Sequence, residues 1–355
     1  MPVHDVGYRS WKGLKTPQLS RWGIIASTGI RLAAKSRWVR RILFVAWLPV
    51  MYWGAGFFFI EQALEADTNV IREALPEEIQ KLPLNADMNA IKNTNRRLLR
   101  RQLRNRFAMF PHADDLADAL ESEDTGVIRN SIWRWLLMVF FRYPQAILIL
   151  FLVGTVAPGL ISRDMRSRAF LLYFSRPIGK LEYIIGKLAI PGSFIIAVTT
   201  LPALALYLFA IMMSPSISVL FNTWEIPLRI LAATVVLVLP TASIALMLSS
   251  LTQESRFANF AWFAIWALGH GAWMAVVVST AIRVNEPPFH PSVMNDPLVV
   301  NWSVLSIYNC LGDVQEWIFG FEKLEDVWQG TLVLSLVTTA SLFILYRRVS
   351  APIRV

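Results

Sequence analysis

Few residues in this 355-residue chain have types and spacings suited to chemistry. His112, followed by Asp114 and Asp115, has the side chains of a divalent-metal site. No second His or Cys lies near it in sequence to complete a ligand set, so ordinary surface polarity is the preferred reading and no metal is expected. His270, within Ala267-Leu268-Gly269-His270-Gly271, is the one acid–base group deep in an apolar stretch. Either it carries a proton or a substrate contact, or it hydrogen-bonds a neighbouring helix; flanking glycines favour the second. Gly179 to Gly186-Lys187 superficially resembles a phosphate loop, but the spacing is wrong and Leu188 stands where Ser or Thr is required. There is no His-Glu-x-x-His, no Gly-x-Ser-x-Gly and no cysteine pair, since Cys310 is the only cysteine. No catalytic residue is expected, and the chain should not hydrolyse ATP by itself.

The elements that must position these residues are set by composition. Hydrophobic residues make up 55% and charged residues 17%, with mean hydropathy +0.46. Soluble domains run near 45–50% apolar and about 25% charged, so a soluble enzyme is excluded. A helix needs about 20 apolar residues to cross the hydrocarbon layer. Windows free of charge give six spans, at 42–60, 143–162, 188–212, 230–252, 257–282 and 327–346. The fold expected is an all-α polytopic membrane protein with both termini on one side.

Basic residues choose the side. The lead 1–41, the connection 163–187, the turn around 252–256 and the tail 347–355 hold 19 Lys or Arg against four acids. Basic excess marks the cytoplasmic face, so cytoplasmic termini in the plasma (inner) membrane are expected, and nucleic acid is not needed to explain the net charge of +9. The segment 61–142 is then a helical extracytoplasmic subdomain ending in an interfacial stretch. Residues 213–229 form a short outer loop, and 283–326 a second, proline-studded outer segment. Residues 18–41 form a basic helix with aromatic residues, suited to the membrane surface, where lipids are its partners.

The most informative stretch is 161–187. A basic helix start (Arg163, Asp164, Arg166, Arg168) leads into the apolar run Phe170 to Phe174, then Ser175-Arg176-Pro177 and a second amphipathic piece ending in Gly186-Lys187. Phe170–Phe174 is too short to cross a bilayer. An apolar knob ringed by arginines has the make-up of an interface core with a charged rim; an interfacial re-entrant turn is the plainer alternative.

This stretch resembles the ABC-2 type permease family, the membrane subunits of ATP-binding-cassette exporters, whose second and third spans are joined by Ile-Ser-x-Glu…Leu-Leu-Ser-Arg-Pro…Gly-Lys. Ile161-Ser162, Ser175-Arg176-Pro177 and Gly186-Lys187 match, and Asp164 stands at the acidic position. Arg168-Ala169 departs from the Gly-Thr of many members, and the first outer loop is longer. The resemblance implies a permease subunit, docked as a homodimer or paired half-transporter on a separate ABC ATPase. The coupling helix would comprise Arg163, Asp164, Arg166, Arg168, Phe170, Phe174, Ser175, Arg176 and Pro177. It implies no cofactor on this chain, ATP and Mg belonging to the ATPase. Two other functions compete: a non-transporting anchor or assembly factor acting through 61–142, and an ion-coupled carrier using His270.

Overall fold

The computed structural model describes residues 21–65, 112, 115, 119, 125–169, 178–214 and 219–350. Among these, every regular element is helical. Six rods are long and apolar enough to cross a membrane: Arg37–Gln62, Gly126–Arg166, Lys180–Met213, Val219–Leu251, Ser255–Val284 and Leu324–Val349. The helices are α1 (Arg21–Ala34), α2 (Arg37–Glu65), α3 (Thr125–Phe140), α4 (Ala146–Val156), α5 (Pro158–Arg166), α6 (Lys180–Val198) and α7 (Thr200–Met213). There follow α8 (Val219–Thr223), α9 (Glu225–Leu251), α10 (Ser255–Val284), α11 (Pro291–Met294), α12 (Pro297–Trp302), α13 (Ile307–Phe319) and α14 (Leu324–Ser350).

Burial ranks the rods. The second, third and fourth bury 56, 56 and 61% of their apolar windows, against 11, 22 and 22% for the first, fifth and sixth. The middle three are therefore the core, and the others lie around it with broad apolar faces outward. α9 is the hub, packing on α14, α6, α5 and α13, while α1 lies across α6. That crossing is close. A Cβ on Gly186 would stand 2.9 Å from the Trp22 carbonyl oxygen and from Ile25 Cβ, so a small residue is needed there.

Prolines lie at or near two of the junctions that interrupt the rods. Pro202 has no amide to give the Val198 carbonyl, and at the α6–α7 junction the Ile195 carbonyl accepts both the Thr199 amide (2.9 Å) and Thr199 Oγ1 (2.8 Å). Pro144 lies in a π-helical turn, Phe141–Gln145, joining α3 to α4. Such a turn is a one-residue bulge in the helical ladder, and the Arg142 carbonyl within it accepts from Tyr308 Oη (3.2 Å).

The helix carrying the second span starts well before Tyr143. Ile128 to Phe141 lines the largest apolar cluster, with Trp133, Leu137, Met138, Phe140 and Phe141 wholly inaccessible. Charge along it is compensated locally, so the rod continues instead of lying flat at an interface. Arg129 Nε donates to both oxygens of Glu61 (3.1 and 3.0 Å), and Trp133 Nε1 donates to Glu61 Oε1 (2.9 Å). Arg129 and Trp133 are one helical turn apart, so both reach the same carboxylate. The first rod likewise runs through Glu61, which is 1% exposed.

Removing one partner from a buried ion pair costs about 3–5 kcal/mol, because the other charge stays buried. Glu61→Ala is therefore expected to lower the thermal unfolding temperature of the detergent-solubilised chain markedly, and Glu61→Gln less, because the amide still accepts from Trp133. Wild-type melting in Glu61→Ala would remove this pair from the account.

Candidate functional site

The second and third rods are bolted together where the basic connection leaves them. Asp164 Oδ2 receives Lys187 Nζ at 2.7 Å and the Tyr183 hydroxyl at 2.7 Å. Lys187 Nζ also donates to the Leu160 carbonyl (2.8 Å) and stands over the Tyr183 ring. Lys187 and Tyr183 are one turn apart on α6, and Asp164 with Leu160 one turn apart on α5, so two short helical faces close on each other. Ser249, near the end of α9, joins them. Its Oγ donates to the Pro158 carbonyl (2.7 Å) and accepts from the Ile161 and Ser162 amides (3.1 Å each). Pro158 at the first turn of α5 has no amide to satisfy, and Ser249 takes up the amides that follow.

Arginines surround this bracket. Arg163, Arg166 and Arg168 are exposed, and Arg166 pairs with Glu254 in the short connection between the fourth and fifth rods (3.1 Å). Arg168 adopts φ 53°, a left-handed turn ending the helix. Phe170, Phe174, Ser175, Arg176 and Pro177 lie outside the described residues. On the far side, Gly179 is the extended N-cap of α6, and Glu182 Oε2 accepts its amide hydrogen (2.8 Å).

A second polar centre sits near the other end, around α13. Arg134 donates to the Phe319 carbonyl (3.2 Å) and Arg229 to the Ile318 carbonyl, so two guanidinium groups cap the helix C-terminus. Arg142 Nη1 meets Glu316 Oε1 at 3.3 Å. The guanidinium lies against the backbone of Gly312, where a Cβ would fall 1.2 Å from Nη1, so only glycine leaves it room. Burial pushes the Glu316 carboxyl upward, and the Arg142 charge and the His112 contact outweigh this, holding it below the usual carboxylate value. Burial takes Asp313 the other way, up to about 7. Arg142, Thr241, Trp266, Tyr308 and Gln315 line a narrow cleft between these helices.

Comparison with known proteins decides what this arrangement belongs to. The family model described as "ABC-2 family transporter protein" matches residues 24–345. The chain belongs to the ABC-2 transporter family. Searches of curated proteins and of solved structures find no match. As an ABC-2 permease it is a multi-pass membrane protein of transport, and the family is the membrane component that generally works with a separate ATPase subunit.

In this ABC-2 chain four of the five charged residues named from the connection fall on one short helix and its turn, with Asp164 inward and Arg163, Arg166 and Arg168 outward. His270 is not where its neighbours suggested. Its ring packs on Trp273 (5.4 Å) and edge-on to Tyr308 (5.5 Å), and its Nδ1 makes no hydrogen bond. Sequence reasoning missed Lys187 and Tyr183 as partners of Asp164. The signal was their one-turn spacing on a helix opening with a lysine in an otherwise charge-free span.

Lys187→Met is expected to destabilise the detergent-solubilised permease, and Asp164→Asn combined with it to regain part of the loss, since neither charge is then left buried alone. Thermal unfolding of both singles and the double closes the cycle. Strictly additive changes would show that the two side chains are not coupled.

Proposed function

We propose that this chain is the permease subunit of an ATP-driven exporter, with both termini cytoplasmic and the 163–187 connection seated on a separate ATPase subunit. The observation that carries this reading is the Asp164–Lys187–Tyr183 bracket at the base of the basic connection. A push on an exposed, arginine-rimmed element is transmitted only if that element is rigidly joined to the spans. Here one turn past the exposed arginines it is locked to the third rod by an ion pair and to the fourth by Ser249. Both locked partners belong to the most buried rods.

α1 fits the same interface. Ile25 and Ala26 are buried, facing α6, and Arg21 and Arg31 stand on a helix whose Ile24 and Leu32 remain exposed. Such a helix lies on a lipid surface with its apolar side down. The broad outward faces of the first, fifth and sixth rods suit lipid and a second copy of the permease in a homodimer. ATP-driven closure of two ATPase subunits would then tilt the rods between two arrangements, because the docking contacts differ between them. The phosphate chemistry, with ATP and Mg, stays on the ATPase.

Two experiments test this. Co-expressed with the ATPase encoded beside it, the wild-type permease should co-purify with that subunit and stimulate its hydrolysis. Arg176→Ala and the pair Phe170→Ser and Phe174→Ser should each lose both properties while retaining the wild-type melting temperature. Undiminished co-purification and stimulation in all of them would defeat the docking assignment. For topology, Ser167→Cys should react with a membrane-impermeant maleimide in inside-out vesicles alone. Cys310 gives little background, since burial pushes its thiol up to about 12. Labelling of residue 167 from the outside would reverse the orientation.

A further inference from the structure

His112 lies between the first and second spans in sequence, and the structure brings it against the turn that joins α13 to the sixth rod. Its Nδ1 is 2.8 Å from Asp115 Oδ2. Its Nε2 faces two carboxylates at once, Glu316 Oε2 at 3.4 Å and Glu322 Oε1 at 3.7 Å. One donor atom from each of His112, Glu316 and Glu322 lies within 4.8 Å of the other two. The imidazole is stacked on Phe321, ring centres 5.4 Å apart, which fixes its plane. Its backbone has φ 59°, a left-handed conformation uncommon outside glycine, though histidine enters it more readily than most residues.

We propose that His112 Nε2, Glu316 Oε2 and Glu322 Oε1 bind a divalent transition-metal ion, with zinc the best match. A neutral imidazole carries one N–H. If Nδ1–H donates to Asp115, the Nε2 lone pair points at two anionic oxygens, an arrangement that repels unless a cation lies between them. A proton on Nε2 would draw one carboxylate to about 2.7–2.9 Å, the length of a charge-assisted hydrogen bond. Neither oxygen is that close; Nε2 and Glu316 Oε2 are within a long hydrogen bond of 3.4 Å. Donors bound about 2.0–2.2 Å from one ion at tetrahedral angles stand about 3.3–3.6 Å apart, close to the two spacings at Nε2, 3.4 and 3.7 Å. Two carboxylates and a neutral imidazole sum to a charge of −2, balanced by a dication.

The surroundings complete the case. Asp115 holds the remote nitrogen of the histidine, and Arg142 stands at Glu316 Oε1, the oxygen turned away from the histidine. These are the outer partners that orient metal ligands and fix the histidine tautomer. Glu316 Oε1 receives no hydrogen bond of its own, although the residue is only 8% exposed. Glu322 is a third exposed, which leaves a fourth coordination position for water. One imidazole and two carboxylates suit zinc or manganese better than calcium or magnesium, which take all-oxygen sets. Neighbours in sequence supply no such set: Asp114 lies outside the described residues, and the two glutamates come from more than 200 positions downstream. An ion here staples the connection after the first span to the base of the sixth.

The test uses the full-length permease in detergent, stripped with EDTA and dialysed against zinc chloride, manganese chloride or calcium chloride. Metal per chain is read by mass spectrometry and stability by thermal unfolding. One zinc per chain and an upward shift in melting temperature are expected, with weaker retention of manganese and none of calcium. Both effects should vanish in His112→Ala and in Glu322→Gln, the latter being partly exposed and harmless to folding. Asp115→Asn should weaken zinc binding about tenfold to a hundredfold. The competing occupant is a proton, since the carboxylates outweigh burial and raise the His112 pKa above its ordinary value. Melting that depends on pH with no saturable zinc, or zinc retained equally by both ligand variants, would overturn the site. Neither result bears on ATPase docking, which involves the opposite end of the second span.

Discussion

A charged side chain buried among apolar helices is costly without a counter-charge, and three ion pairs in this molecule supply one across different helices. That constraint organises the molecule. Glu61 is matched by Arg129 across the first and second rods, Arg142 by Glu316 between the second rod and α13, and Lys187 by Asp164 between the third and second. Each pair joins different helices, so the bundle's polar contacts are also its registry pins. In lipid, apolar contact alone discriminates poorly between helix faces, because the tails compete for them equally well.

The pins are unequal in surroundings. Glu61 takes three hydrogen bonds from Arg129 and Trp133 and lies in a ring of aromatic contacts, Phe57 against Trp133 and Trp133 against Tyr207. It is a closed, fully satisfied site. Asp164 is also satisfied, yet it sits one turn from exposed arginines, where a load applied outside the bundle arrives first. The Arg142 centre is the loosest. It stands in a π-helical turn beside a narrow cleft, with Trp266 Nε1 and Arg142 Nη1 lacking hydrogen bonds. Incompletely satisfied polar groups beside an irregular turn mark the part of the bundle that rearranges at least cost.

Six spans and an all-helical fold were legible because 20-residue charge-free runs carry a strong physical signal, and the family showed in a short motif around Ser175-Arg176-Pro177. The helix ends were not legible. A search for windows without charge stops at Arg142 and at Glu61, whereas the helices run on through both, since a charge with a partner on the next helix does not end a span. His112 failed for a related reason. Proximity in sequence gave it only Asp114 and Asp115, and the two glutamates that complete its surroundings become neighbours only when α13 folds back against the start of the second rod. His270 misled in the opposite direction. Glycines beside it suggested a close helix crossing and a hydrogen bond. A Cβ on Gly269 would indeed stand 2.6 Å from the Leu305 carbonyl oxygen, but the imidazole itself turns to Trp273 and Tyr308.

The junctions within the rods set a rigid base apart from a looser centre in one bundle. Between Asp164 and the Phe141–Gln145 turn the second rod is α4 and α5 with a single-residue junction at Ala157, whose amide still bonds the Val153 carbonyl (2.8 Å). It behaves as a continuous lever about five turns long, roughly 30 Å at 1.5 Å per residue. The third rod has a similar single-residue junction at Thr199, about three turns from Lys187, whose amide also bonds the Ile195 carbonyl (2.9 Å). The base of both levers is clamped by Asp164 and Lys187. The Arg142–Glu316 pair, by contrast, stands where the helical ladder is irregular, beside the narrow cleft between these helices.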